Sequence, residues 1–90
     1  MNTIYKFKLA ARITESLLKV PIGAEFVSLA VQFNEAVAYF KVDDEQKEFM
    51  MMKVWAASTG GFCPPSYYLL MGTAILNGGN YVLHYYYSPV

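Results

Sequence analysis

The chain predicts an all-β domain, a small antiparallel sandwich or barrel of about seven short strands. Three observations carry that reading. Apolar residues recur at every second position in one segment after another. Clusters of Gly, Asn and Pro punctuate those segments at short intervals. The chain's 90 residues, without linker or internal repeat, make a single β domain over residues 1–90, with a thin core.

Thr3 to Leu9 sets Tyr5, Phe7 and Leu9 on one face and Lys6 and Lys8 on the other, placing lysines where an edge strand needs protection from edge-to-edge pairing. Thr14 to Val20 follows, with Ser16, Leu18 and Val20 alternating against Leu17 and Lys19. A short helix competes for AARITESLLK. Pro21 decides for a strand, because the residue before a proline is driven to extended geometry, and Gly23 permits the turn that follows.

Glu25 to Val42 is the clearest hairpin. Val27, Leu29, Val31 and Phe33 alternate before a turn at Asn34-Glu35, and Ala38, Phe40 and Val42 alternate after it. In DDEQKEFMMMKVWAA, Asp43 and Gln46 have the spacing of a helix capping box, so a helix competes here as well. The strand reading sorts Phe49, Met51, Lys53 and Trp55 onto one face and Met50, Met52 and Val54 onto the other, beside a hairpin that needs a neighbour. Ser58 to Ser66 is a loop, since Gly60-Gly61 permit positive φ and Pro64-Pro65 remove backbone donors. Tyr67 to Leu76 and Tyr81 to Tyr87 are the last two strands, joined by the left-handed turn types of Asn77-Gly78-Gly79-Asn80.

Composition narrows the function classes. The chain is 56% hydrophobic and 17% aromatic but only 16% charged, more apolar surface than one thin core hides. A dimer or larger self-assembly is the consequence. Seven basic and seven acidic residues leave no net charge and no basic patch, so duplex nucleic acid is not an expected partner. Cys63 is the only cysteine, which fits a reducing compartment. No secretory signal and no apolar run of membrane-spanning length is visible, so the expected location is cytoplasmic, away from the membrane.

From Val54 onward the chain holds no Asp, Glu, Lys or Arg, yet it carries six of the eight tyrosines. One reading places the last two strands centrally, with the charged N-terminal strands outside. The other makes part of this stretch an interface, because Tyr is enriched at contacts and charge is depleted from their centres. The candidate binding residues are Tyr67, Tyr68, Tyr81, Tyr85, Tyr86 and Tyr87, with Trp55. Alternate side chains of the last strand point to opposite faces, so both readings hold together.

The segments Thr3-Ile4-Tyr5-Lys6-Phe7, Pro21-Ile22-Gly23-Ala24, Leu29-Ala30-Val31-Gln32 and Val42-Asp43 occur here in order. Thr59-Gly60, Gly72-Thr73, and Gly78-Gly79 with Tyr81-Val82-Leu83-His84-Tyr85 complete the series. In this the chain resembles a family of small phage and prophage-encoded proteins of unknown function. The family usually carries a His and a Pro after the Thr-Gly pair, where this chain reads Gly61-Phe62-Cys63-Pro64. The resemblance implies an all-β fold and a phage setting, in the cytoplasm of a bacterial host, and brings no active site with it.

Candidate chemistry is sparse. His84 is the only histidine, and catalytic pairs and zinc sites need several converging groups. Cys63 lacks the cationic neighbours that activate a thiol. Asp43, Asp44, Glu45 and Glu48 lack the alternating ligands and turn glycine of a calcium loop and read as a solvated turn. No catalytic residue, metal or cofactor is therefore assigned. The expected function is non-enzymatic: a phage accessory protein binding a host or phage protein, including an anti-defence role against a host factor. The alternatives are a homo-oligomer holding a small molecule such as a nucleotide between subunits, and a virion or assembly component.

Overall fold

The computed structural model describes residues 1–12 and 14–89. Seven strands follow one another: β1 (Asn2–Lys8), β2 (Thr14–Pro21), β3 (Glu25–Gln32), β4 (Glu35–Asp43), β5 (Phe49–Ser58), β6 (Leu69–Leu76) and β7 (Tyr81–Ser88). They form two antiparallel sheets, one ordered β1-β4-β3 and the other β2-β5-β7-β6. The two sheets pack face to face as a sandwich.

The core lies where their inner faces meet. β4 contributes Ala36, Ala38, Phe40 and Val42, and opposite it stand Val20 of β2, Met52, Val54 and Ala56 of β5, and Leu83 and Tyr85 of β7. The period-two pattern makes this possible, since every second residue of a strand faces the same way. Phe40 is fully enclosed, with Phe7 5.6 Å away and Phe26 5.7 Å away, both edge-on, and Tyr87 at 6.5 Å. Each such ring pair adds about 0.5–1.5 kcal/mol beyond the area it buries. Because these rings come from β1, β3, β4 and β7, the cluster also ties the two sheets together.

The lysine-marked β1 is an edge strand, as its pattern predicts. Asp43 is no helix cap: its carboxylate accepts from the Glu45 N–H at 3.0 Å and its carbonyl from the Gln46 N–H at 3.0 Å, which closes a turn. The hairpin between β6 and β7 has the expected left-handed backbone, with φ of 52° at Asn77, 65° at Gly78 and 99° at Gly79.

Four expectations need correction. The turn between β3 and β4 is centred on Phe33 and Asn34, with φ of 51° and 63°, so Phe33 leaves the strand and is 95% exposed. A bulge between Phe26 and Ser28 resets the alternation, turning Phe26 toward Phe40 and leaving Val27 exposed. Tyr67 and Tyr68 precede β6 instead of opening it. Of the last two strands only β7 is central; β6 is an edge.

β5 and β6 both run antiparallel to β7, hence parallel to each other. A hairpin cannot join parallel strands, so residues 59–68 cross over the outer face of the larger sheet, past β7. On the other side β6 packs against β3, and Gly72 is what allows the approach. Its φ is 146°, and a Cβ there would lie 3.3 Å from Leu29 Cδ2.

Candidate functional site

The two outer faces of the sandwich differ in chemistry. On the three-stranded sheet, Lys8 pairs with Glu35 at 3.6 Å, Lys41 with Glu25 at 3.4 Å, and Lys6 donates to Gln32 Oε1 at 3.0 Å. Cross-strand register sets these contacts, since β4 lies between β1 and β3. This face is solvated, and two of its three lysines are paired with glutamates. The outer face of the four-stranded sheet is built from the opposite parity of its strands: Leu17 and Lys19 of β2, Phe49, Met51, Lys53 and Trp55 of β5, Tyr86 and His84 of β7, and Leu70 and Ile75 of β6. Leu17, Phe49, Met51, Leu70 and Ile75 are all exposed there.

The crossover is fastened over the middle of this face. Trp55 Nε1 donates to the Phe62 carbonyl at 3.1 Å, and the Cys63 Sγ and Tyr86 hydroxyl meet at 4.0 Å. Tyr68 stands edge-on to Trp55 at 6.2 Å and donates its hydroxyl to Glu15 Oε2 at 2.6 Å. Burial, reinforced by the bond to Glu15, pushes the Tyr68 phenol up to about 12. The Tyr86 phenol is raised too, chiefly by its contact with Cys63. Tyr67 leans on Tyr68 at 5.2 Å and stays 60% exposed, while Phe62 projects from the crossover.

The seven candidate residues thus divide. Trp55, Tyr67, Tyr68 and Tyr86 gather around the crossover on the outer face. Tyr81, Tyr85 and Tyr87 alternate inward along β7. Tyr85 is fully enclosed, its hydroxyl donating to the Ala10 carbonyl at 2.9 Å, and burial pushes its phenol up to about 12. Tyr81 donates to the Ala11 carbonyl at 3.3 Å, and Tyr87 packs on Phe26 at 5.3 Å. Tyr85 is therefore withdrawn from the candidate face, and Tyr81 and Tyr87 belong with the core. The two hydroxyl bonds have a structural role: they pin the segment that carries the chain from one sheet to the other.

His84 lies on the outer face between two threonines, with Nε2 2.9 Å from Thr59 Oγ1 and Nδ1 3.0 Å from Thr73 Oγ1. Both ring nitrogens are occupied by neutral hydroxyls. Asp43, Asp44 and Glu45 bring one oxygen each to within 4.8 Å of one another, around the Met1 amino group at 3.2–3.3 Å. An amine already sits where a cation would. No cleft is present among the described residues, so a small molecule would meet an open surface or a junction between copies.

Leu17, Phe49 and Met51 were not among the candidates read from sequence, although a signal for them exists. Lys19 and Lys53 share their strand faces, and a lysine marks the side that meets water. Lys19 lies over the Phe49 ring with its Nζ 4.9 Å from the centroid, so charge and apolar surface are interleaved at this end of the face.

No helix of the described residues is long and apolar enough to cross a membrane. No curated protein and no solved structure matches the chain significantly. A match to a family described as Domain of unknown function (DUF7352) extends over residues 1–90, and the chain belongs to that uncharacterised family.

Proposed function

We propose that this protein acts by binding another protein through the aromatic and apolar outer face of its four-stranded sheet, and that it is a phage accessory protein modulating a host factor. The contrast between the two outer faces carries the reading. One face pairs Lys8 and Lys41 with glutamates around an exposed Ile4, whereas the other gathers Leu17, Phe49, Met51, Tyr67, Leu70 and Ile75 in water. Exposed apolar surface interleaved with a few charges is the composition of a contact site. The sequence resemblance to phage proteins supports the setting. Self-association accompanies this reading, because so short a chain exposes this much apolar surface.

The test is affinity capture from an infected bacterial lysate. A protein retained by the wild-type chain and lost by both Tyr67→Ala and Tyr86→Ala supports the reading; the same retention by all three baits defeats it.

A further inference from the structure

The sandwich has four edge strands, and three of them carry charge. β1 has Lys6 and Lys8, β2 has Glu15 and Lys19, and β3 has Glu25. β6, LLMGTAIL, has none. An edge strand presents a row of unpaired N–H and C=O groups, and charged side chains are the usual means of keeping a second strand away from it. Among the described residues, no backbone hydrogen bond outside the strand ladders engages β6. Its flank is apolar as well: Leu69, Leu70 and Ile75 are exposed on β6, and Val27 and Val31 on the adjacent β3.

We propose that β6 is a dimerisation edge, at which two copies of the chain pair antiparallel, β6 to β6, over Gly72–Leu76. This rests on the self-association part of the function proposed above and not on the outer-face partner. Only an extended strand satisfies a strand edge's alternating donors and acceptors, and the chain supplies one that complements itself under a two-fold axis. The bulge between Leu70 and Gly72 ends the regular stretch, which leaves five residues centred on Ala74. About that centre Thr73 lies opposite the partner's Ile75, and Gly72 opposite the partner's Leu76. Both pairs respect the faces already set by β7, since Thr73 and Ile75 both pair with outward-facing residues, His84 and Val82. No like charges meet. The result is one continuous eight-stranded sheet.

The contact is small. The five paired residues are roughly 17 Å long, and the sandwich is 16 Å across its thinnest Cα dimension. With side chains that gives roughly 350 Å² per copy, below the usual size of a tight dimer contact. The association is therefore concentration-dependent.

Sedimentation of the purified chain over a wide concentration range, with two variants, tests this. The wild type forms a dimer. Ile75→Lys raises the dissociation constant at least about tenfold, while Met51→Lys, on the outer face of β5, leaves it within about twofold. Thermal melts of both variants confirm that they fold. Hydrogen exchange gives an independent readout, with amides of Gly72–Leu76 slowing as concentration rises. A wild-type monomer at every concentration overturns the proposal, as does a dimer broken by Met51→Lys and untouched by Ile75→Lys. Pairing of β6 with a foreign strand instead of itself appears as the monomer outcome. Diluting the wild-type chain below its dissociation constant leaves lysate capture by the outer face unaffected, so the two readings fail separately.

Discussion

Replacing Tyr68 with Phe tests how the crossover is held to the sheet. The substitution keeps the ring that meets Trp55 and deletes the hydroxyl that donates to Glu15 Oε2 at 2.6 Å. A hydrogen bond to an ionised acceptor contributes about 1.5–3 kcal/mol. Glu15 is exposed, however, and water recovers much of that when the donor is removed, so the expected loss is about 1 kcal/mol. For a domain of this size that lowers the thermal midpoint by about 4–8 °C. Tyr68→Ala removes the ring as well and costs about 2–3 kcal/mol. Trp55 is the only tryptophan, so its fluorescence reports the same contact directly: Tyr68→Ala shifts its emission to the red, and Tyr68→Phe leaves it nearly unchanged. A double-mutant cycle with Glu15→Ala returns a coupling of about 1 kcal/mol. No coupling, together with an unchanged midpoint for Tyr68→Phe, would refute the claim that this bond anchors the crossover.

Other expectations concern the core, the turns and alkaline pH. Phe40→Ala removes the ring shared by both sheets and costs about 3–5 kcal/mol, a large share of the roughly 5–13 kcal/mol a domain of this length has; urea denaturation measures it. Phe33→Asn relieves a bulky residue held at a φ of 51° and raises stability by up to about 1 kcal/mol in the same assay. Gly72→Ala forces a side chain into a glycine-only backbone region against Leu29 and costs about 1–3 kcal/mol. Tyr68 and Tyr85 both ionise near 12, above the ordinary value of 10. The folded chain thus keeps protons that the unfolded chain releases. Their contribution to stability is complete below pH 10 and is lost as the pH rises toward 12, by about 2–3 kcal/mol for the enclosed Tyr85 alone. Tyrosinate absorbance checks this: the signal from Tyr68 and Tyr85, with Tyr86 shifted in the same direction, appears late, as the fold opens.

Most of the fold is legible in the sequence because a thin sandwich asks each strand for one simple property, an inner and an outer face. Lys6 and Lys8 opposite Tyr5 and Phe7, or Lys53 opposite Met52 and Val54, state that division without reference to any other strand. Where alternation misleads, a local irregularity has intervened. The bulge at Val27 shifts parity by one residue, so the exposed Val27 and the packed Phe26 exchange the places the pattern gives them. Phe33 reads as a strand residue because a large aromatic is a poor turn former. It occupies the turn because the next residue, Asn34, is gripped from across the sandwich, donating to Asn77 Oδ1 at 2.6 Å and accepting from the Asn77 N–H at 2.7 Å.

The candidate site is less legible. Tyrosine enrichment locates the right half of the chain but not the right faces, since Tyr85 and Tyr86 are neighbours with opposite fates. Which of them meets solvent depends on the sheet that packs beneath β7, and strand order is a long-range property that no local pattern encodes. The same holds for β6. Its lack of charge suits a central strand as well as an unprotected edge, and only the topology tells them apart.

The division of labour between the two outer faces is tested most directly by paired variants in one capture experiment. Leu17→Ser with Met51→Ser alters the apolar face, and Lys6→Ser with Lys41→Ser alters the ion-paired one. The first pair loses the captured protein and the second pair retains it at wild-type yield. Capture that survives the first pair, or disappears with the second, contradicts the assignment of the binding face.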